Sequence, residues 1–285
     1  MCCHCLELLH SQLMDPVTNA VVHSVASESA RVLKKESDGF LKAVLGEPAK
    51  ALGGLIADKI NKRRHANLIK ICVEAKRALA DAGVLPKEVP LNVIHPALEA
   101  ASLAEEPDLQ GVWANLLANA ADPRQANPVA PSFPHLLREL GVREVKFLDD
   151  LYRNSIGVVK LRQVPEYLSF TIQDVQYRRD ELLEAYARLG LSRNQHLVRM
   201  TVKYYQDNRS DIDADLQDFG LTLDIIKRSG ILAEAADTVP VHVSADHLDT
   251  LSALKVDLSQ TYFFSHLGAC FVAACRKPES GGRLS

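Results

Sequence analysis

Apolar residues recur at intervals of three and four along most of the chain, the spacing that places them on one face of an α-helix. Val17, Val21, Val25, Val32, Leu41, Val44 and Leu45 fit a first helix. Asp15 stands as its N-cap and Pro16 takes its first position, with a break expected at Asp38-Gly39. Pro48 restarts the pattern, and Leu52, Leu55, Ile56, Ile60, Leu68, Cys72 and Leu79 form a long amphipathic stripe that stops at Gly83. After a turn at Pro86 to Pro90, a short helix carries Ile94, Leu98 and Ala101. Pro107 then opens a helix whose Leu109, Val112, Trp113, Leu116, Leu117 and Ala120 form the most regular apolar face in the chain.

Four prolines fall between Asp122 and Pro134, which predicts a linker over 122–134. That divides the chain into a disordered terminus over 1–13, an N-terminal helical domain over 14–121 and a C-terminal domain over 135–285. In the C-terminal domain the pattern predicts helices at His135–Leu140, Glu144–Tyr152, Gln173–Leu189 and Leu216–Arg228, the last ending at Gly230. Strands are predicted at Ile156–Val164, Leu197–Tyr205, Val239–Val243 and Tyr262–Phe264, before a closing helix at Leu267–Cys275. The fold class is therefore mainly α: an N-terminal helical bundle followed by an α+β C-terminal domain with winged-helix-like elements.

Composition agrees with this class. Of 285 residues, 47% are hydrophobic and 24% charged, as in an ordinary globular protein, and only 6% are aromatic. Six cysteines, three of them crowded at Cys2, Cys3 and Cys5, do not make a secreted disulfide framework. No secretory signal opens the chain, Met14 is an alternative start, and reduced thiols in the cytoplasm are expected. The uncharged run Leu258–Cys275 is short for a spanning helix of roughly 20 residues and carries several polar side chains. Phe40–Ile60 is interrupted by charges, so it can lie on the inner face of a membrane but not cross it.

The net charge of -3 hides an asymmetry. Between Arg31 and Arg77 there are 12 Lys or Arg against 5 Asp or Glu, a difference of +7. Lys42, Lys50, Lys59, Lys62, Arg63 and Arg64 are therefore the candidate contacts to an anionic surface. Near the C-terminus, Lys227, Arg228, Arg276 and Lys277 are a weaker candidate for nucleic acid. From Asp218 to Ser285 the balance is 6 basic against 8 acidic residues, a difference of -2, which opposes phosphate-backbone binding.

No linear catalytic signature is present. None of the ten histidines has an Arg five to seven positions upstream, and no P-loop, G-x-G-x-x-G, H-E-x-x-H or G-x-S-x-G occurs. Cys2-Cys3-His4-Cys5 has zinc-ligand types without zinc-ligand spacing, and His242, Asp246 and His247 read as separate residues. The expectation is a non-enzymatic protein without a metal, cofactor or small-molecule substrate.

Three runs resemble the Abi-alpha (abortive infection alpha) family of bacterial phage-defence proteins. They are Leu45 to Asp58 with Asn67; Pro96-Ala-Leu-Glu99-Ala-Ala-Ser102 through Glu105, Leu109, Trp113, Leu116 and Leu117; and Pro131 to Leu137 with Phe147-Leu148. The closing run Tyr262 to Cys275 is similar but less distinctive. Within these runs Glu99 is expected on a solvent face. The resemblance implies defence by abortive infection and assigns no catalytic residue. A sensor or interaction protein, acting through a protein partner (a phage component or a second copy) or a membrane surface, is the leading expectation. A nucleic-acid-binding regulator and an effector toxin are the alternatives.

Overall fold

The computed structural model describes residues 16–46, 62–125, 128–161, 171–191, 209–235 and 261–279. Helix α1 (Pro16–Leu45) begins on the proline whose fixed φ suits a first turn and runs on through Asp38-Gly39, where a break was expected. Phe40, Val44 and Leu45 are buried at its end. Their packing outweighs the cost of about 1 kcal/mol for a glycine inside a helix. Helix α2 (Lys62–Asp81) lies against α1 and against α4 (Pro107–Ala121), with α3 (Leu91–Ala101) beside α4. Ile71, Cys72, Ala75 and Leu79 make the inner face of α2, and Trp113, Leu116, Leu117 and Ala120 that of α4, as the periodicity predicts.

Helices α5 (Phe133–Glu139) and α6 (Val142–Leu161) follow. Residues Ile156 to Leu161, read as the start of a strand, continue α6. Adding residues to an existing helix costs little, and the β-branched penalty is a few tenths of a kcal/mol per residue. A tertiary contact also fixes this turn: Ser155 Oγ lies 2.8 Å from the Tyr177 hydroxyl and donates to the Leu151 carbonyl at 3.0 Å.

The stretch Gln173–Leu189, read as one helix, divides into a 3₁₀ turn at Ile172–Asp174, strand β1 (Gln176–Arg178) and helix α7 (Arg179–Arg188). Asp174 accepts from both the backbone N–H and the hydroxyl of Thr171, a capping box that opens the 3₁₀ turn, and the pairing of Gln176–Arg178 with the strand at Thr261–Phe264 takes the next residues out of helix. Helix α8 (Arg209–Arg228) ends at Gly230, whose φ of +72° allows Gly230 N–H to reach Lys227 O and Ile231 N–H to reach Ile226 O.

Strand β2 (Leu232–Glu234), which the pattern did not indicate, follows at once, and β3 (Thr261–Phe264) leads into α9 (His266–Ala274). The three strands form an antiparallel sheet in the order β1-β3-β2, with Tyr177 opposite Tyr262 and Leu232 opposite Phe264. The chain is thus mainly helical with a small sheet in its C-terminal region. The strands read at Leu197–Tyr205 and Val239–Val243, and the terminus over 1–13, lie outside the described residues. The winged-helix likeness drew on Val239–Val243.

One hydrophobic cluster runs from Phe40 in α1 to Val272 in α9. It passes through the proline-rich segment, where Asp122, Val129 and Phe133 are buried and Phe133 meets the Phe271 ring edge-on at 5.5 Å. Among the described residues no helix is long and apolar enough to cross a membrane.

Candidate functional site

The basic cluster at the start of α2 is tied down by the α3–α4 corner. Arg63 pairs with Glu105 at 2.7 Å, and Arg64 donates to Ser102 Oγ at 2.9 and 3.1 Å. One turn on, Asn67 Nδ2 donates to the Ser102 carbonyl, and Gln110 Nε2 reaches both Asn67 Oδ1 at 3.3 Å and the Ala104 carbonyl at 2.9 Å. Asn67 belongs to the first of the matching runs and Ser102 and Glu105 to the middle one, and these polar side chains hold three helices in register. Glu99 is exposed, as expected, while its carbonyl accepts from Ser102 Oγ at 2.6 Å. Lys42 is exposed and Lys62 opens α2, whereas Lys50 and Lys59 lie outside the described residues.

The second basic set is also engaged. Lys227 pairs with Glu234 at 2.6 Å and sits 5.5 Å from the centre of the Tyr262 ring. The hydrogen bond to Glu234 holds its ammonium above the usual lysine range, against partial burial and with the help of neighbouring charges. Arg276 lies over the Tyr152 ring and 3.5 Å from Asp149. Arg228 and Lys277 are exposed.

A second polar clamp joins α4 to the end of α9. Buried Asn119 directs Nδ2 at the carbonyls of Ala274 (2.8 Å) and Arg276 (2.6 Å), and Asn115 Nδ2 donates to the Cys275 carbonyl at 3.1 Å. The last carbonyls of a helix lack partners within it, so two asparagines four residues apart on α4 supply them. Asn119→Ala would leave buried acceptors unmade and is expected to cost about 2–3 kcal/mol. A loss under 1 kcal/mol in urea denaturation would show that the clamp contributes little.

Beyond α4, Asp122 is buried and bonds Arg124 through both carboxylate oxygens, while Arg124 also reaches the Ala82 and Glu279 carbonyls. Burial alone would raise the Asp122 carboxyl. The hydrogen bonds and charge of Arg124, with the charge of Lys87, outweigh it and hold the group below the usual carboxylate range. A carboxyl lowered by folding stabilises the protein above its unfolded pKa, and that contribution is lost as pH falls through the folded value. Asp122→Asn should therefore lower Tm at pH 7 and flatten the fall of Tm on acidification; an unchanged acid limb would contradict the assignment.

Between α4, α5, α6 and α9 the structure leaves a half-open cleft of about 620 Å³. Its floor is apolar, including Val112, Leu140, Leu148, Phe271 and Val272, and Cys275 forms part of the wall. Its rim is charged: Asp108 pairs with Lys146 at 2.6 Å, and Asp149 pairs with Arg153 and lies near Arg276. The apolar surroundings of the half-buried Cys275 push its thiol above the ordinary cysteine range. Among the described residues no three His, Cys, Asp or Glu are grouped to hold a metal ion. His242, Asp246, His247 and the Cys2-Cys3-His4-Cys5 cluster lie outside those residues. The sequence reading missed this cleft, because Lys146, Asp149 and Arg153 are unremarkable until α6 is set against α4 and α9.

A family model described as abortive infection alpha matches residues 63–275, the span that holds the α2–α3–α4 corner, the asparagine clamp and most of the cleft. No curated protein and no solved structure matches the chain.

Proposed function

This chain belongs to the abortive infection alpha family, whose name places it in phage defence, and on that premise we propose that it acts by binding, through the cleft between α4 and α9, rather than by catalysis. The observation that carries the reading is the cleft itself. It is a concave site with an apolar floor and a few converging charges, as binding sites generally are. Support also comes from what the polar side chains of the matched span are doing: Arg64, Asn67, Ser102, Gln110, Asn115 and Asn119 are spent on joining helices.

An anionic membrane surface has less support as the partner, since Arg63 and Arg64 are committed to Glu105, Ser102 and the Glu99 carbonyl. Nucleic-acid contact through Lys227, Arg228, Arg276 and Lys277 has less support because Lys227 is paired with Glu234 and the stretch from Asp218 to Ser285 carries more acidic than basic residues. The partner we propose for the defence step is a protein, engaged once the cleft is filled.

The test is a phage challenge of cells carrying the protein. Reduced phage yield, with infected cells dying before lysis, is expected, and Lys42→Glu should keep that protection because Lys42 is far in sequence from the cleft and exposed. Normal phage yield with wild-type protein would remove the defence role. Loss of protection in Lys42→Glu would return the emphasis to a basic surface.

A further inference from the structure

The cleft of the proposed function has a charge imbalance that identifies what it would hold. Four cations line it, Lys146, Arg153, Arg276 and Lys277, against two carboxylates, Asp108 and Asp149. Asp108 is taken by Lys146, so Asp149 alone faces both Arg153 and Arg276. Lys277 is exposed and has no ion-pair partner among the described residues. Arg276 Nη1 is buried and, though 3.5 Å from Asp149 Oδ1, makes no hydrogen bond among them. A buried guanidinium N–H without an acceptor is costly, and Asp149, shared with Arg153, answers the Arg276 charge only in part.

The apolar part of the lining is made by Val112, Leu137, Val145, Leu148, Phe271 and Val272. An apolar surface beside a charged lining with two more cations than carboxylates suits a ligand with the same division: a hydrocarbon or aromatic body carrying one anionic group. The cavity of about 620 Å³ is of the size that small-molecule sites have. We propose that the α4–α9 cleft is a binding site for a soluble small apolar anion, of the long-chain carboxylate type, whose body lies on Val112 and Phe271 and whose charge meets Arg276 and Lys277. The proposal rests on the reading that this cleft is the functional site, and adds the class of ligand that fills it.

Isothermal titration of the full chain tests it, using dodecanoate below its micelle concentration, with dodecylammonium as the probe of equal length and opposite charge. Dodecanoate is expected to bind one to one and dodecylammonium at least about tenfold more weakly, a difference of roughly 1.4 kcal/mol. Lys277→Glu should weaken dodecanoate by about tenfold while Lys277→Arg keeps it, and Val112→Trp should abolish binding by filling the cleft. Circular dichroism checks that each variant is folded; if Val112→Trp is not, the Lys277 pair decides. Equal affinity for the two probes, or dodecanoate binding indifferent to Lys277→Glu, would overturn the proposal. So would co-sedimentation with phosphatidylglycerol vesicles in the absence of dodecanoate binding, which would point to a membrane surface. Loss of phage protection in a folded Val112→Trp protein whose wild type ignores dodecanoate would leave the cleft as the functional site and remove only this ligand class.

Discussion

Phe147→Ala is expected to lower the stability of the protein by about 3–5 kcal/mol, the range for deleting a buried aromatic ring. Phe147 on α6 is fully buried and meets the Tyr186 ring of α7 edge-on at 5.7 Å and the Phe219 ring of α8 at 6.4 Å. Tyr186 and Phe219 in turn meet each other at 5.5 Å. Edge-to-face pairs add about 0.5–1.5 kcal/mol each beyond the area they bury, so one truncation removes two of them and opens a cavity among three helices. Phe147→Leu keeps most of the volume and should cost less than half as much. Urea denaturation of the two variants checks this, and a loss for Phe147→Leu as large as that for Phe147→Ala would contradict it, because the retained apolar volume would then contribute nothing.

Gly268→Ala should cost about 3 kcal/mol or more, lowering Tm by roughly 6–12 °C. Helix propensity alone predicts the opposite sign, because alanine is favoured over glycine in a helix by about 1 kcal/mol. Gly268 lies in the first turn of α9, where its N–H donates to Ser265 Oγ at 2.9 Å and a Cβ would collide with the Ile231 carbonyl. That carbonyl cannot swing aside freely, since it accepts the Ser265 N–H at 3.0 Å. Ser265 Oγ meanwhile donates to the Gly230 carbonyl at 2.5 Å, so both ends of the contact are held by hydrogen bonds. The substitution therefore separates α9 from the end of α8. A melting temperature raised by Gly268→Ala would show that this approach is looser than the structure has it.

Much of the fold was legible where a helix is long enough for its period to show. Leu109, Trp113, Leu116 and Ala120 announced α4, and Leu68, Cys72 and Leu79 announced α2. The sheet was not legible in the same way, because β1, β2 and β3 are three or four residues long and alternation needs more than that. What creates β1 is the pairing of Tyr177 with Tyr262, residues 85 positions apart, a contact that no local pattern contains. The run from Ile156 misled for the converse reason: β-branched residues suggest a strand, yet Ser155 and Tyr177 bind that turn as helix.

The candidate site divides along the same line. Arg63 and Arg64 read as free basic residues because their partners, Glu105 and Ser102, are about forty positions away. The cleft was hidden because its walls come from four separate helices. One signal was available. Asn115 and Asn119 interrupt the apolar pattern of α4 four residues apart, and a buried asparagine such as Asn119 must find partners; the partners of the two are the carbonyls at and just past the end of α9.

The central claim is that the α4–α9 cleft is where this abortive infection protein does its work. It is tested most directly by measuring phage yield from cells expressing folded Val112→Trp protein beside wild type at matched levels. The account predicts that filling the cleft restores phage yield to that of unprotected cells while Lys42→Glu stays protective. Full protection by a folded Val112→Trp protein would contradict it.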